Sequence, residues 1–279
     1  MTIQAKDYFV FDGVDSRSFD ALVFDNDTFS SPEKQYETTT IPGRSGDLLL
    51  KNRRFGNVKH TYDVLIYRNF ERNYEKLREF LLSRDGYCRL EDSLHPNEFY
   101  TAYYSGSITP EMTREHDMGK FSLTFSRKPQ RWLRNGDSVV STSWSTTLDV
   151  TNPTQFPCYP LIQVKGSSLA SGSNGFKIRF YIGSSYYDRT TIAINAFSGS
   201  TAMTNLLNSN SESTPLCIDM DSLQAYIVSS GTTYYYNNIV KYTLSSDNKY
   251  PFQLQPGKNR IARTGSNLTF RVIPRWYTI

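Results

Sequence analysis

The sequence predicts a mainly β chain of two domains, the first with a single α-helix and the second an all-β sandwich or jelly roll. Three observations carry this. Aromatics make up 14% of the 279 residues, with 20 Tyr and 17 Phe, types that pack well on a pleated, half-buried surface. Apolar and polar residues alternate in many short runs, while only one stretch has helical spacing. Sixteen Gly and 12 Pro, with much Ser and Thr, supply the turns that many short strands need.

A step in charge divides the chain. Met1 to Asn135 carry 20 Lys and Arg against 20 Asp and Glu, whereas the remainder carries 11 against 7 and so the whole net charge of +4. The boundary is placed near Arg134-Asn135-Gly136, with Pro129 and Gly136 as breakers. The expected domains are 1–135 and 136–279.

In the first domain, strand-like Tyr36 to Thr40 and Leu48 to Leu50 flank the turn-rich loop Ile41-Pro42-Gly43-Arg44-Ser45-Gly46-Asp47. Tyr62, Val64 and Ile66 alternate with Asp63, Leu65 and Tyr67, a strand. A helix is expected over Asn69 to Ser83. Phe70, Tyr74, Leu77 and Leu81 form its apolar stripe, with Phe80 beside it, and Glu71, Glu75, Glu79, Arg72, Lys76 and Arg78 face water. Asn69 is the expected cap and Arg84-Asp85-Gly86 the stop. Phe121, Leu123 and Phe125 alternate with Ser122, Thr124 and Ser126. The second domain reads as strands only. Phe176, Ile178, Phe180 and Ile182 alternate with polar neighbours, as do Ile192, Ile194 and Ala196, and Leu268, Phe270 and Val272. Turn signals sit at Gly172 to Gly175, Ser229-Ser230-Gly231 and Pro256-Gly257, a spacing that suggests a sandwich or jelly roll.

Composition excludes several classes of function. A membrane helix needs about 20 consecutive apolar residues, and the longest apolar runs here are short, such as Leu48-Leu49-Leu50 and Val64-Leu65-Ile66. Met1 to Val10 include Asp7 and no apolar core of signal-peptide length, so Sec-type export is not expected. Three cysteines without CxxC spacing disfavour a disulfide scaffold and a structural zinc site. A net charge of +4 is too small for a dedicated nucleic-acid binder.

Chemistry-bearing motifs are absent. There is no P-loop, GxSxG, HExxH or EF-hand loop, so no catalytic residue, metal site or cofactor is expected. Cys88 has no nucleophile signature around it, and His60 and His95 are scattered. His116 lies between Glu115 and Asp117, neighbours that point to opposite strand faces and make no relay. Asp219 and Asp221 are two apart, so on a strand they share a face and offer oxygen ligands to Ca²⁺; the plainer reading is a polar face or a turn. Tyr186-Tyr187 and Tyr234-Tyr235-Tyr236 are candidates for outward protein or sugar contact, against the plainer reading that alternate tyrosines fill a core.

The residues also resemble a known family across nearly the whole chain. The relevant blocks are Phe11-Asp12-Gly13-Val14-Asp15-Ser16 with Phe19-Asp20, then Ile41 to Leu49, Tyr62 to Leu82, Gly86 to Asp92, Gly119 to Phe125 and Lys128 to Trp132. In the second half they are Asn152-Pro153-Thr154, Tyr159 to Val164, Cys217 to Ser222, Leu254 to Asn259 and Pro274 to Ile279. In this order they resemble the distal tail proteins, or phage tail components, of long-tailed non-contractile bacteriophages. The resemblance implies an N-terminal β-sandwich-like domain with one α-helix and an extended hairpin, and a C-terminal galectin-like or jelly-roll β-sandwich. It implies a structural virion protein, not an enzyme, whose N-terminal domains form a hexameric ring at the distal end of the tail. The implied partners are other copies of the chain, the tail tube protein and the tail-tip protein (tail-associated lysin or fibre). DNA passes through the ring without specific binding, no membrane is engaged, and assembly takes place in the host cytoplasm. Ile41, Arg44, Asp47 and Leu49 are the expected interface between copies. Lys51, Arg53, Arg54 and the run Arg127 to Arg134 are expected mostly to avoid the bore, pairing with acids or facing partner proteins. An alternative reading makes the C-terminal sandwich a module that binds a receptor-binding protein or host cell-wall saccharide through Tyr186, Tyr187 and Tyr234 to Tyr236.

Overall fold

The computed structural model describes residues 7–26, 30–112, 117–141, 143–165, 176–182, 190–194, 214–244, 252–264 and 269–279. Contact density divides the chain into two compact units, Met1–Trp132 with Ile279, and Leu133–Thr278. The first unit contains β1 (Phe9–Phe11), β2 (Val14–Asp15), β3 (Ala21–Asn26), β4 (Lys34–Thr39), β5 (Leu48–Phe55), β6 (Val58–Ile66), α1 (Phe70–Leu82), β7 (Cys88–Asp92), β8 (Glu98–Tyr104), β9 (Glu111–Met112) and β10 (Gly119–Arg127), with β11 (Arg131–Leu133) at its end.

One sheet in the order β2-β1-β7-β8-β10-β6-β3 forms the first unit, with β9 added to the start of β10. Its alternation is the one the sequence predicts: Tyr62, Val64 and Ile66 on β6 and Phe121, Leu123 and Phe125 on β10 are all buried. The sheet folds back on itself. β1 and β6 stand four places apart in it, yet the Phe9 and Tyr62 rings stack at 5.4 Å and Phe11 lies 5.1 Å from Phe125. That closure gives the expected sandwich-like core. Helix α1 adds Phe70, Leu77 and Leu81 to it, with Tyr74 stacked on Phe70 at 5.3 Å. The capping differs from expectation. Asn69 takes a left-handed conformation and makes no side-chain cap; its N–H donates to Asp117 Oδ1 at 3.0 Å. Asn73 ties down the first turn instead, donating to the Arg68 carbonyl and to Asp20 Oδ2, each at 2.9 Å.

The second unit contains β12 (Thr147–Asn152), β13 (Leu161–Lys165), β14 (Phe176–Ile182), β15 (Thr190–Ile194), β16 (Leu216–Asp219), β17 (Gln224–Ser229), β18 (Thr232–Tyr235), β19 (Val240–Leu244), β20 (Gly257–Thr264), β21 (Thr269–Ile273) and β22 (Tyr277–Thr278). Two antiparallel sheets, β12-β20-β14-β15-β19 and β18-β17-β16-β13-β21, make the expected sandwich. Its core draws on both: Ile178, Phe180 and Ile261 from the first, Ile162, Ile218 and Val272 from the second. The turn signal at Ser230-Gly231 joins β17 to β18, both residues having the positive φ that a tight hairpin needs. The signals at Gly172 to Gly175, and Ala196 and Leu268, lie outside the described residues.

Candidate functional site

The Ile41 to Asp47 loop is the tip of a two-stranded hairpin. β4 and β5 pair with each other, from Lys34 opposite Phe55 to Thr39 opposite Leu48, and with no other strand among the described residues. At the base, the Gly56 N–H donates to the Glu33 carbonyl at 2.9 Å. At the tip, the Thr40 hydroxyl donates to Asp47 Oδ1 at 2.9 Å and the Arg44 N–H to the Ile41 carbonyl at 3.2 Å. Gly43 and Gly46 take the positive φ that closes such a turn. Eight residues of strand extend about 26 Å.

This hairpin is exposed and apolar. Tyr36, Ile41, Leu48, Leu49 and Leu50 are all exposed, Leu49 at 49%. Three successive leucines point to alternate sides, so both faces of the ribbon carry apolar surface. Arg44 is exposed and has no carboxylate partner among the described residues. The sequence singles out Ile41, Arg44, Asp47 and Leu49; Tyr36, Leu48 and Leu50 are the further residues of this surface. The signal for them is the leucine triplet, which breaks the alternation of a strand lying on a core.

On the second unit, β18 stands at the end of its sheet and, among the described residues, pairs only with β17. Tyr234 and Tyr235 are exposed, at 45% and 60%, and Tyr235 sits 6.1 Å from Tyr226. Tyr236 behaves differently. It packs partly buried against the sandwich core, and its N–H donates to the Ala225 carbonyl. Tyr186 and Tyr187 lie outside the described residues.

Asp219 and Asp221 are not part of any cluster of three or more potential metal-ligating side chains among the described residues. Asp219 ends β16, and Arg275 grips both its oxygens at 2.9 and 3.1 Å. Asp219 Oδ1 also accepts from the Asp221 and Ser222 N–H groups, so Asp221 stands in a turn rather than on the strand face. Burial pushes the Asp219 carboxyl pKa up, but the Arg275 hydrogen bonds and charge, with the two N–H groups, more than offset this and hold it below the usual range.

The other titratable residues are structural. Burial raises the Cys88 thiol pKa and pushes Cys158 up to about 12 and Cys217 to about 11, the opposite of a poised nucleophile. His60 is fully buried beside Tyr62, and His95 meets Asp92 at 3.2 Å. His116 lies outside the described residues. The basic run departs from expectation at one position. Arg131 pairs with Glu98 at 2.8 Å, but Arg127 is buried, its guanidinium 4.7 Å over the Tyr100 ring and Nη2 donating to the Ser30 carbonyl at 2.9 Å. Burial lowers its pKa. Its place on β10 dictates this, since residues 119, 121, 123, 125 and 127 all face inward.

Comparison with known proteins shows what the chain is similar to. Residues 14–126 match the family described as the phage tail protein RIFT-related domain. None of the curated proteins matches the chain. Among solved structures, the chain is similar to the SPP1 Dit (gp 19.1) protein, described as a paradigm of the hub adsorption apparatus in phages infecting Gram-positive bacteria. The TM-score is 0.65 at 15% identity, over 98% of this chain and 99% of that one. It is also similar to a chain of the phage p2 baseplate in its activated conformation with Sr, with a TM-score of 0.54 at 7% identity, over 95% and 97% of the two chains. The resemblance to the distal tail proteins is therefore met from a family model of the first unit and from the fold of the whole chain. Residues 14–126 thus resemble a phage tail domain, and the chain as a whole has a fold similar to that of the SPP1 Dit protein.

Proposed function

We propose that this chain is the distal tail, or baseplate hub, protein of a long-tailed phage. Six copies form a ring at the distal end of the tail, and the ring joins the tail tube protein to the tail-tip protein. The single observation that carries self-assembly is the β4–β5 hairpin. A lone two-stranded ribbon is marginal in water, and this one exposes apolar side chains on both faces. Another chain covering those faces would stabilise it by about 25 cal/mol per Å² of apolar area removed from water. A ring closes by a heterologous contact, one patch meeting a different patch on the neighbour. Ile41, Arg44, Asp47 and Leu49, with Tyr36, Leu48 and Leu50, form one of those patches. Assembly takes place in the host cytoplasm, and the ring belongs to the virion tail. The test is the mass of the purified chain by light scattering, with and without Arg44→Glu. A hexamer lost in the variant supports the reading; a hexamer of unchanged mass removes the tip from the interface.

A second activity rests on β18. Tyr234 and Tyr235 expose aromatic faces on a sheet edge with no further partner strand among the described residues, a surface suited to a receptor-binding protein or a cell-wall saccharide. A glycan array and a pull-down with the receptor-binding protein test it. Tyr235→Ala should abolish the signal that the wild-type chain gives, and an unaltered signal contradicts it.

A further inference from the structure

A row of side chains crosses the outer face of the sheet β18-β17-β16-β13-β21. Arg271 stands opposite Gln163, Gln163 opposite Cys217, Cys217 opposite Tyr226 and Tyr226 opposite Tyr235. The strand neighbours Ile162, Ile218, Ala225, Phe270 and Val272 enter the sandwich core, so alternation turns the row outward. Four strand spacings give it a length of about 19 Å. Trp144 extends it at the β21 end, next to the Ser145–Phe270 bridge; Arg271 Cζ lies 4.2 Å and Lys165 Nζ 4.5 Å from the centre of its ring. We propose that this row binds an acidic saccharide chain laid across the strands, with sugar rings on Tyr226 and Tyr235 and an anionic group on Lys165 and Arg271. The site rests on the second reading above and extends it from the β18 edge to a defined ligand and surface.

Three features select this ligand. The row offers side chains only. A peptide that adds to a sheet pairs with main-chain groups along an edge, whereas the main chains of β13, β16 and β17 are already paired on both sides. The tyrosine end is a platform. The Tyr226 and Tyr235 rings lie 6.1 Å apart and Tyr235 is the more exposed, a flat apolar surface with polar tips that matches the apolar face and hydroxyl rim of a sugar ring. The other end is cationic. The Trp144 ring draws the charges of Lys165 and Arg271 together, and Arg271 Nη2 donates to Gln163 Oε1 at 3.2 Å, which orients the guanidinium. An anion placed there relieves the repulsion of two like charges and gains charge-assisted hydrogen bonds. Asp219, one pleat along β16 from Cys217, does not oppose it, because Arg275 pairs with its carboxylate at 2.9 Å. Between the two ends Cys217 is buried, which pushes its thiol up to about 11 and keeps it neutral. The cations gather at one end. A single-stranded nucleic acid would call for a basic groove along its whole backbone; a saccharide with one acid group per repeat does not.

The test is calorimetric titration of the full chain with three probes of matched length: an oligogalacturonate, an oligosaccharide joined by phosphodiesters and a neutral cello-oligosaccharide. At least one acidic probe should bind about tenfold or more tighter than the neutral one, and high salt should remove the difference. The better of the two acidic probes tells a carboxylate ligand from a phosphate one. Arg271→Gln and Lys165→Gln should each lower acidic binding about tenfold and leave neutral binding unchanged. Tyr235→Ala should weaken all three probes. Melting temperatures should match wild type, since the row faces outward; if Arg271→Gln melts early, Lys165→Gln decides. Saccharide binding that Tyr235→Ala abolishes but both cation variants leave untouched overturns the row and leaves the second reading standing. So does capture of the receptor-binding protein with no saccharide bound. An oligothymidylate held as tightly as the acidic saccharides reveals a general polyanion surface and overturns the saccharide assignment. A chain that binds none of these probes and no receptor-binding protein overturns the second reading itself.

Discussion

Asp219 and Arg275 come from two blocks far apart in sequence that both carry the family resemblance, and the structure brings them into one ion pair. Asn152 and Asn259 repeat the theme. The buried Asn152 amide donates to the Phe156 and Leu254 carbonyls, and Asn259 holds the Gln255 turn from both sides. The recognisable residues of the second half are thus those that fix turns, where few residue types satisfy the geometry. Their partners were not legible, because Asp219 and Asp221, two residues apart, show a polar face or a turn, or oxygen ligands for a cation, but not the arginine that meets them. The Asp219 pair predicts a pH dependence. The carboxyl pKa is lowered in the folded chain, so its contribution is present above the unfolded value of about 4 and is lost as pH falls through the folded value. Asp219→Asn should lower stability by about 1–2 kcal/mol at neutral pH. Its stability should also fall less than that of wild type below about pH 4, as urea melts across the pH range would show. Parallel curves for the two proteins would contradict the assignment. At Gly119, a Cβ would lie 2.4 Å from the Phe70 ring where α1 meets β10. Gly119→Ala should cost about 1–3 kcal/mol through overpacking, and a denaturant midpoint equal to wild type would show that the helix start gives way freely.

Among the elements, α1, β6 and β10 were legible because each places one apolar face on a core, which writes its period into the sequence. The β4–β5 hairpin was legible only as a turn between two strands. Its tip has the glycines that closure needs, but its isolation from the sheet leaves no periodic mark, since both its faces lack a core. The consequence is a separation of effects. Leu49→Asp with Leu50→Asp should change the unfolding free energy of the isolated chain by less than about 0.5 kcal/mol, as expected for surface sites. The same pair should abolish assembly. Circular dichroism melts and sedimentation read the two quantities, and a large loss of stability would mean that the hairpin packs on its own unit.

For the molecule as a whole, the two-part composition reflects two kinds of surface. The first 135 residues balance 20 basic against 20 acidic side chains, which supplies opposite-sign patches without net repulsion. A ring that lets DNA pass must not hold phosphates, since each Lys or Arg contact adds salt-dependent affinity. The burial of Arg127 and the Arg131–Glu98 pair take two cations of the basic run out of free solution. The assembled protein should therefore leave duplex DNA unshifted in a gel at physiological salt. The sandwich was legible as a sandwich from its alternating strands; which of its surfaces meets a partner was not, because exposed and core tyrosines such as Tyr235 and Tyr236 stand side by side in sequence. If copies of this chain build a ring, native mass spectrometry of the purified full chain reads the assembly out. The expected result is a species of six chains, absent when Leu49 and Leu50 are both aspartate. A chain that remains a folded monomer at every concentration tried, in the presence and absence of the tail tube protein, would contradict it.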